Sequence, residues 1–179
     1  MNSMEIVQSI EGLFEVSCVN LFESLNCTVR RIENAQNELS DGPIACIDAG
    51  SSDLELITGL QLPMSVLALT YPVESDIREI GDEYLEDWIG ELSNQLMGRL
   101  KTELSDHDCQ VILGLPITCY GDDINPLSEV CYKRALYFEL DGEVCVCYIA
   151  VEAFADNMVF SVKEDRAAGE LLRGELELF

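Results

Sequence analysis

The chain has 179 residues, 48% of them hydrophobic, with 10 Lys and Arg against 34 Asp and Glu, a formal net charge of −24. The length favours one domain, and the apolar share is that of a globular chain with a sizeable core. So much negative charge repels phosphate backbones and anionic lipid head groups, which excludes nucleic acid and membrane surfaces unless a basic patch overrides it; the densest basic pair is Arg30-Arg31.

In chain order, residues 4–24 read as an amphipathic helix. Ile6, Val7, Ile10, Leu13, Phe14, Ser17, Leu21 and Leu25 recur at helical spacing, and Asn26 ends the run. The N-terminus carries acids where a secretory signal would carry a basic and then an apolar stretch. A strand is expected at 27–32, followed by a polar loop through Asp41-Gly42-Pro43. Three strands of a meander follow, at 44–48, 54–60 and 64–71, closed by Tyr71-Pro72. A short helical piece is expected at 75–80, then the longest helix, 82–104, with Asp82 as N-cap. A strand at 109–115 ends at Pro116, and a loop with Gly121, Asp122, Asp123 and Pro126 comes next. Two long strands, 131–140 and 143–152, flank Asp141-Gly142, a two-residue turn of the type that needs positive φ at both positions. The tail at 163–173 is weakly helical, interrupted by Gly169 and followed by Gly174. No apolar run is long enough to span a bilayer. Helix, meander, helix and hairpin together give an α+β fold, with a largely antiparallel sheet packed by an N-terminal helix and a long second helix. The domain occupies 1–160, with a polar tail at 161–179.

Cysteine and histidine constrain the chemistry. Eight cysteines are scattered without a CxxC pair, which reads as reduced, mostly buried thiols of a cytoplasmic protein. The only histidine, His107, lies in Ser105-Asp106-His107-Asp108 and reads as a structural loop residue. No metal site of its own is expected. Asp122, Asp123 and Asn125 form an acidic loop, but without the EF-hand pattern or a partner acid at fixed spacing.

The informative segment is Asp82–Leu104. At about 100° per residue, Leu85, Trp88, Ile89, Leu92, Leu96 and Leu100 share an arc of about 120° that faces the sheet. Asp87, Glu91, Asn94 and Gly98 share an arc of about 60° on the opposite side, joined by i,i+3 and i,i+4 steps. That outer stripe is poor helix design. Two acids four apart repel, an interior Asn competes for backbone groups, and Gly98 costs about 1 kcal/mol relative to Ala. Local rules broken together on one face point to function. A carboxylate can grip a partner's cation, a nearby amide can hold a water through both its oxygen and its nitrogen, and the glycine leaves a bare patch for close approach.

Asp87-x3-Glu91-x2-Asn94, with Pro116 some twenty residues on, resembles the CheX/CheC family of chemotaxis phosphatases, which dephosphorylate CheY-like response regulators. With one Glu-x-x-Asn on a suitable helix, the chain is most similar to the single-motif, CheX-like branch, and the order of its elements matches over about residues 4–155. The resemblance implies a layered CheX-like α/β sandwich. It implies that Glu91 pairs with the receiver's active-site lysine and that Asn94 orients the attacking water. Asp87 begins the motif and Pro116 shapes the strand end beside the helix, while Gly98 is placed at the contact by its bare surface alone. No cofactor of its own is implied, since Mg²⁺ belongs to the receiver site. The implied partner is a phosphorylated CheY-like regulator, and the implied state is a cytoplasmic homodimer. The sequence departs from the family at Glu74–Ile80, which is short, and in the Asn94-to-Pro116 spacing, one residue under the pattern. Two readings follow: a phosphatase, or a non-catalytic module that binds a receiver or a signalling scaffold.

Overall fold

A computed structural model describes residues 3–33, 42–72, 81–119, 134–154 and 160–161. Its elements are α1 (Ser3–Ser24), β1 (Val29–Ile32), β2 (Ile44–Gly50), β3 (Leu54–Gln61), α2 (Met64–Thr70), α3 (Asp82–Asp106), β4 (Ile112–Leu113), β5 (Ile117–Cys119), β6 (Arg134–Leu140) and β7 (Glu143–Ala153). The strands form one sheet in the order β1-β6-β7-β3-β2-β4, with β5 also on the outer edge of β2. Every pairing is antiparallel, as the α+β reading expects.

The α1 helix buries Ile6, Ile10, Phe14, Cys18, Leu21 and Phe22. It stops because Asn26 takes φ 61. Cys27 N–H then reaches the Phe22 carbonyl at 3.2 Å and Asn26 N–H the Glu23 carbonyl at 3.0 Å, the paired bonds of a left-handed helix end. Asp141 and Gly142 take φ 51 and 95, as a two-residue hairpin requires. This turn is docked on the start of β1, where Asp141 Oδ1 accepts from Thr28 N–H at 3.0 Å. At the same edge, Arg31 and Arg134 pair with Glu15 and Glu11 of α1, and the Arg31 guanidinium stands 5.4 Å over the Phe138 ring.

One face of the sheet carries the main core. Ala45, Ile47, Leu54, Leu56, Leu60, Leu136, Phe138, Cys147 and Ile149 pack there with the inner faces of α1 and α3. Ile44, Cys46, Val146 and Tyr148 form a smaller buried cluster, and cross-strand pairing puts them on the other face. There the Tyr148 hydroxyl donates to Gln61 Oε1 at 3.0 Å; burial pushes the Tyr148 phenol up to about 12.

Three sequence expectations are corrected. Residues 64–71 are a helix, α2, in place of a third meander strand. Both edges of β3 are already occupied, by β2 and β7, so the apolar run beyond Pro63 has no ladder to join and folds back to bury Val66 and Leu67. Asp82 is not the cap of α3. Gly81 holds that position without a side-chain bond, and the helix runs on to Asp106. The strand expected at 109–115 shrinks to Ile112–Leu113, with β5 after it. Pro116, which has no N–H to donate, divides the edge of β2 between the two, while Gly114 N–H still reaches the Asp48 carbonyl at 2.8 Å. The expectations for 75–80, the 121–126 loop and the 163–173 tail lie outside the described residues.

Gly42 is the tightest backbone approach. A Cβ there would lie 1.8 Å from the Leu62 carbonyl oxygen, a main-chain atom. Gly42→Ala is therefore expected to lower unfolding free energy by about 2–4 kcal/mol in urea titration, whereas Gly12→Ala, with nothing within 4 Å of its Cβ, is expected to be neutral or stabilising.

Candidate functional site on the outer face of α3

The rotation of α3 is set by its apolar side. Leu85, Ile89, Leu92, Leu96, Met97, Leu100 and Leu104 are all buried. Trp88 is half-buried at the flank of that side: its Nε1–H donates to Thr70 Oγ1 at 3.1 Å, and Tyr71 packs edge-on at 6.0 Å. On the other flank Gly90 is buried, and a Cβ there would sit 3.6 Å from Thr118 Oγ1 of β5. The helix is thus wedged between α2 on one side and the Pro116–β5 segment on the other. Near its C-terminal half, Arg99 Nη2 donates to Ser24 Oγ of α1 at 2.9 Å.

With the helix held so, the outer stripe faces away from the core. Asp87 and Glu91 are exposed, and Asn94 and Gly98 are half-buried. The structure brings these four together on one face. Pro116, half-buried between β4 and β5, belongs to the flanking segment. Ser93, next to Asn94 in sequence, points the other way; it is fully buried and its hydroxyl has no partner among the described residues.

Sequence reasoning missed Gln95. Its Nε2 donates to Glu91 Oε1 at 3.2 Å, an i,i+4 pair that the spacing alone could have revealed. The bond restrains one carboxylate oxygen and leaves the other to accept. No bond among the described residues engages the Asn94 amide or the Asp87 carboxylate, so both keep their hydrogen-bonding capacity for an incoming molecule. From Asp87 to Asn94 the stripe runs about 10 Å along the axis.

Among the described residues, the histidine and the buried cysteines are structural. His107 caps α3; its ring bonds the Ser161 carbonyl and stacks on Phe160 with centroids 4.9 Å apart and planes 6° apart. A second left-handed helix end follows, with Asp108 at φ 63 and Cys109 N–H on the Leu104 carbonyl at 2.9 Å. None of the described cysteines is in a disulfide. Burial pushes the Cys145 and Cys147 thiols up, which keeps them protonated and poor nucleophiles. Among the described residues, no group of three His, Cys, Asp or Glu side chains could hold a metal, and no helix is long and apolar enough to cross a membrane. Asp122, Asp123 and Asn125 lie outside those residues.

No family model matches the sequence, and no curated protein matches it. Solved structures do. The chemotaxis protein CheX of Vibrio vulnificus superposes with a TM-score of 0.64 at 11% identity, covering 80% of this chain and 99% of that one. A CheC-like superfamily protein of Shewanella sp. PV-4 gives 0.61 at 15% identity, over 86% of this chain and 100% of that one. The CheX-CheY-BeF3-Mg+2 complex of Borrelia burgdorferi gives 0.59 at 15% identity, over 79% and 96%. With nearly the whole of each of those chains covered, a single open antiparallel sheet and a long helix bearing the polar stripe, this protein has the CheX-like fold.

Proposed function

We propose that this protein accelerates hydrolysis of the aspartyl phosphate on a CheY-like response regulator, in the cytoplasm where such regulators work. The observation that carries the reading is the outward stripe of α3, a carboxylate and an amide one turn apart, the amide without a partner among the described residues, on a helix locked at both flanks. In the reaction, water attacks phosphorus, the bond to the aspartyl oxygen breaks, the carboxylate leaves, and inorganic phosphate is released. Phosphoryl transfer needs an in-line nucleophile and charge stabilisation. On this reading the receiver contributes Mg²⁺ and a lysine, and α3 contributes geometry. Asn94 accepts from the water with its oxygen and donates to the phosphoryl group with its nitrogen. Glu91, steadied by Gln95, pairs with the lysine. Asp87 extends the acidic edge of the contact, and Gly98 permits close approach at the other end of the stripe. The complex recorded for the Borrelia burgdorferi CheX, with CheY, supports a receiver as partner.

Asn94→Ala is expected to abolish the acceleration, a loss of about a hundredfold or more, as for a lost water-positioning or charge-stabilising group. Phosphate release from phosphorylated receivers of the same cell measures this. Full activity in that variant would overturn the mechanism, and tight binding without any change in rate would make the chain a docking module instead. Since receivers are often acidic, affinity is expected to hold or rise as salt is added, because screening weakens like-charge repulsion; titration across ionic strengths checks it. Gly98 has nothing within 4 Å of its Cβ direction, so Gly98→Ala is expected to raise folding stability by about 1 kcal/mol. A stabilising change that also weakens receiver binding would show that helix stability had been given up there for the contact.

A further inference from the structure

One residue on the same face is unused by the proposed chemistry. Tyr84 lies three residues before Asp87, and at about 100° per residue it falls about 20° beyond Glu91, at the margin of the stripe. Its side chain is 52% exposed. The ring leans toward the helix start, where a Cβ on Gly81 would meet Cδ2 at 3.8 Å. No side-chain bond or ring contact engages it among the described residues. Trp88, one turn on, is held by Thr70 and Tyr71. Leu69, next to Thr70 on α2, adds a second exposed apolar side chain on that flank.

We infer that Tyr84 is an affinity anchor for the receiver, an aromatic contact that takes no part in the chemistry. The inference rests on the phosphatase reading. Three arguments carry it. Tyr84 stands about 15 Å from Asn94 along the axis, out of reach of the phosphoryl group. A standard interface buries about 800 Å² on each side, a disc of about 16 Å radius, so a footprint centred on Glu91, about 10 Å from Tyr84 along the axis, includes it. A chain of net charge −24 gains little from long-range attraction to an acidic receiver, so affinity must come from short-range contact. A rigid aromatic with two rotatable bonds provides that at small entropic cost, which is why tyrosine is enriched among binding hot spots.

The test is steady-state dephosphorylation of phosphorylated receivers from the same cell by the wild-type chain, Tyr84→Ala, Tyr84→Phe and Asn94→Ala. Tyr84→Ala is expected to raise KM about tenfold with kcat within about twofold of wild type, and Tyr84→Phe to stay near wild type in both. The tenfold difference should persist at high salt, since it is not coulombic. An unchanged KM in Tyr84→Ala, with Asn94→Ala inactive, overturns this inference alone. A fall in kcat at constant KM overturns it too, by placing Tyr84 in the chemistry. A wild-type chain that accelerates no receiver overturns both this inference and the reading beneath it.

Discussion

The contact on which the rest depends is the seating of α3 on the sheet. Leu85, Ile89, Leu92, Leu96 and Leu100 fix its rotation, because a turn of about 100° would bring a charged or polar side chain into the core and expose leucines. Two flanking contacts remove the remaining freedom. Trp88 is bonded to Thr70 on one side, and on the other Gly90 has no side chain to hold the helix away from Thr118. Everything proposed for the outer face follows from this. Side chains that must meet a reacting group to within a fraction of an ångström are best carried on an element that cannot roll, and here the core provides that stiffness.

The charge takes on a narrower meaning once the ion pairs are placed. Three arginines, Arg30, Arg31 and Arg134, are paired with acids along the β1–β6 edge and α1, and Arg99 is turned to Ser24. The first three fasten the fold's far edge, away from the stripe. Among the described residues no ion pair engages the carboxylates of the outer face of α3, and Glu91 meets the neutral donor Gln95. A carboxylate on such a face is one that a cation on another molecule can meet.

The legible parts of the fold were those where one local rule dominates. The α1 and α3 periodicities and the Asp141-Gly142 turn were plain, because helical spacing and positive φ leave few alternatives. Residues 64–71 were misread because a short apolar run cannot declare helix or strand; the decision lay in the already paired edges of β3. The divided edge at Pro116 depended on which strand it would join. At the site, Asp87, Glu91, Asn94 and Gly98 stood out because each is a local fault in helix design and all four face one way. Gln95 and Tyr84 did not, because glutamine is an ordinary helix residue and an exposed tyrosine breaks no helical rule. Their significance comes from what they stand beside.

The choice of an amide at position 94 also has a physical basis on the proposed reading. A carboxylate there could accept from water but would repel the phosphoryl oxygens, and a lysine could donate to them but could not accept from the water. Asn does both without net charge. Its side chain is shorter than that of Gln by one methylene and so has one fewer torsion to freeze. The helix bears the propensity cost of Asn and recovers it through the buried leucines on its other face. A stripe of faults on a well-packed helix is thus a division of labour, in which the inner face supplies the stability that allows the outer face to be chosen for chemistry.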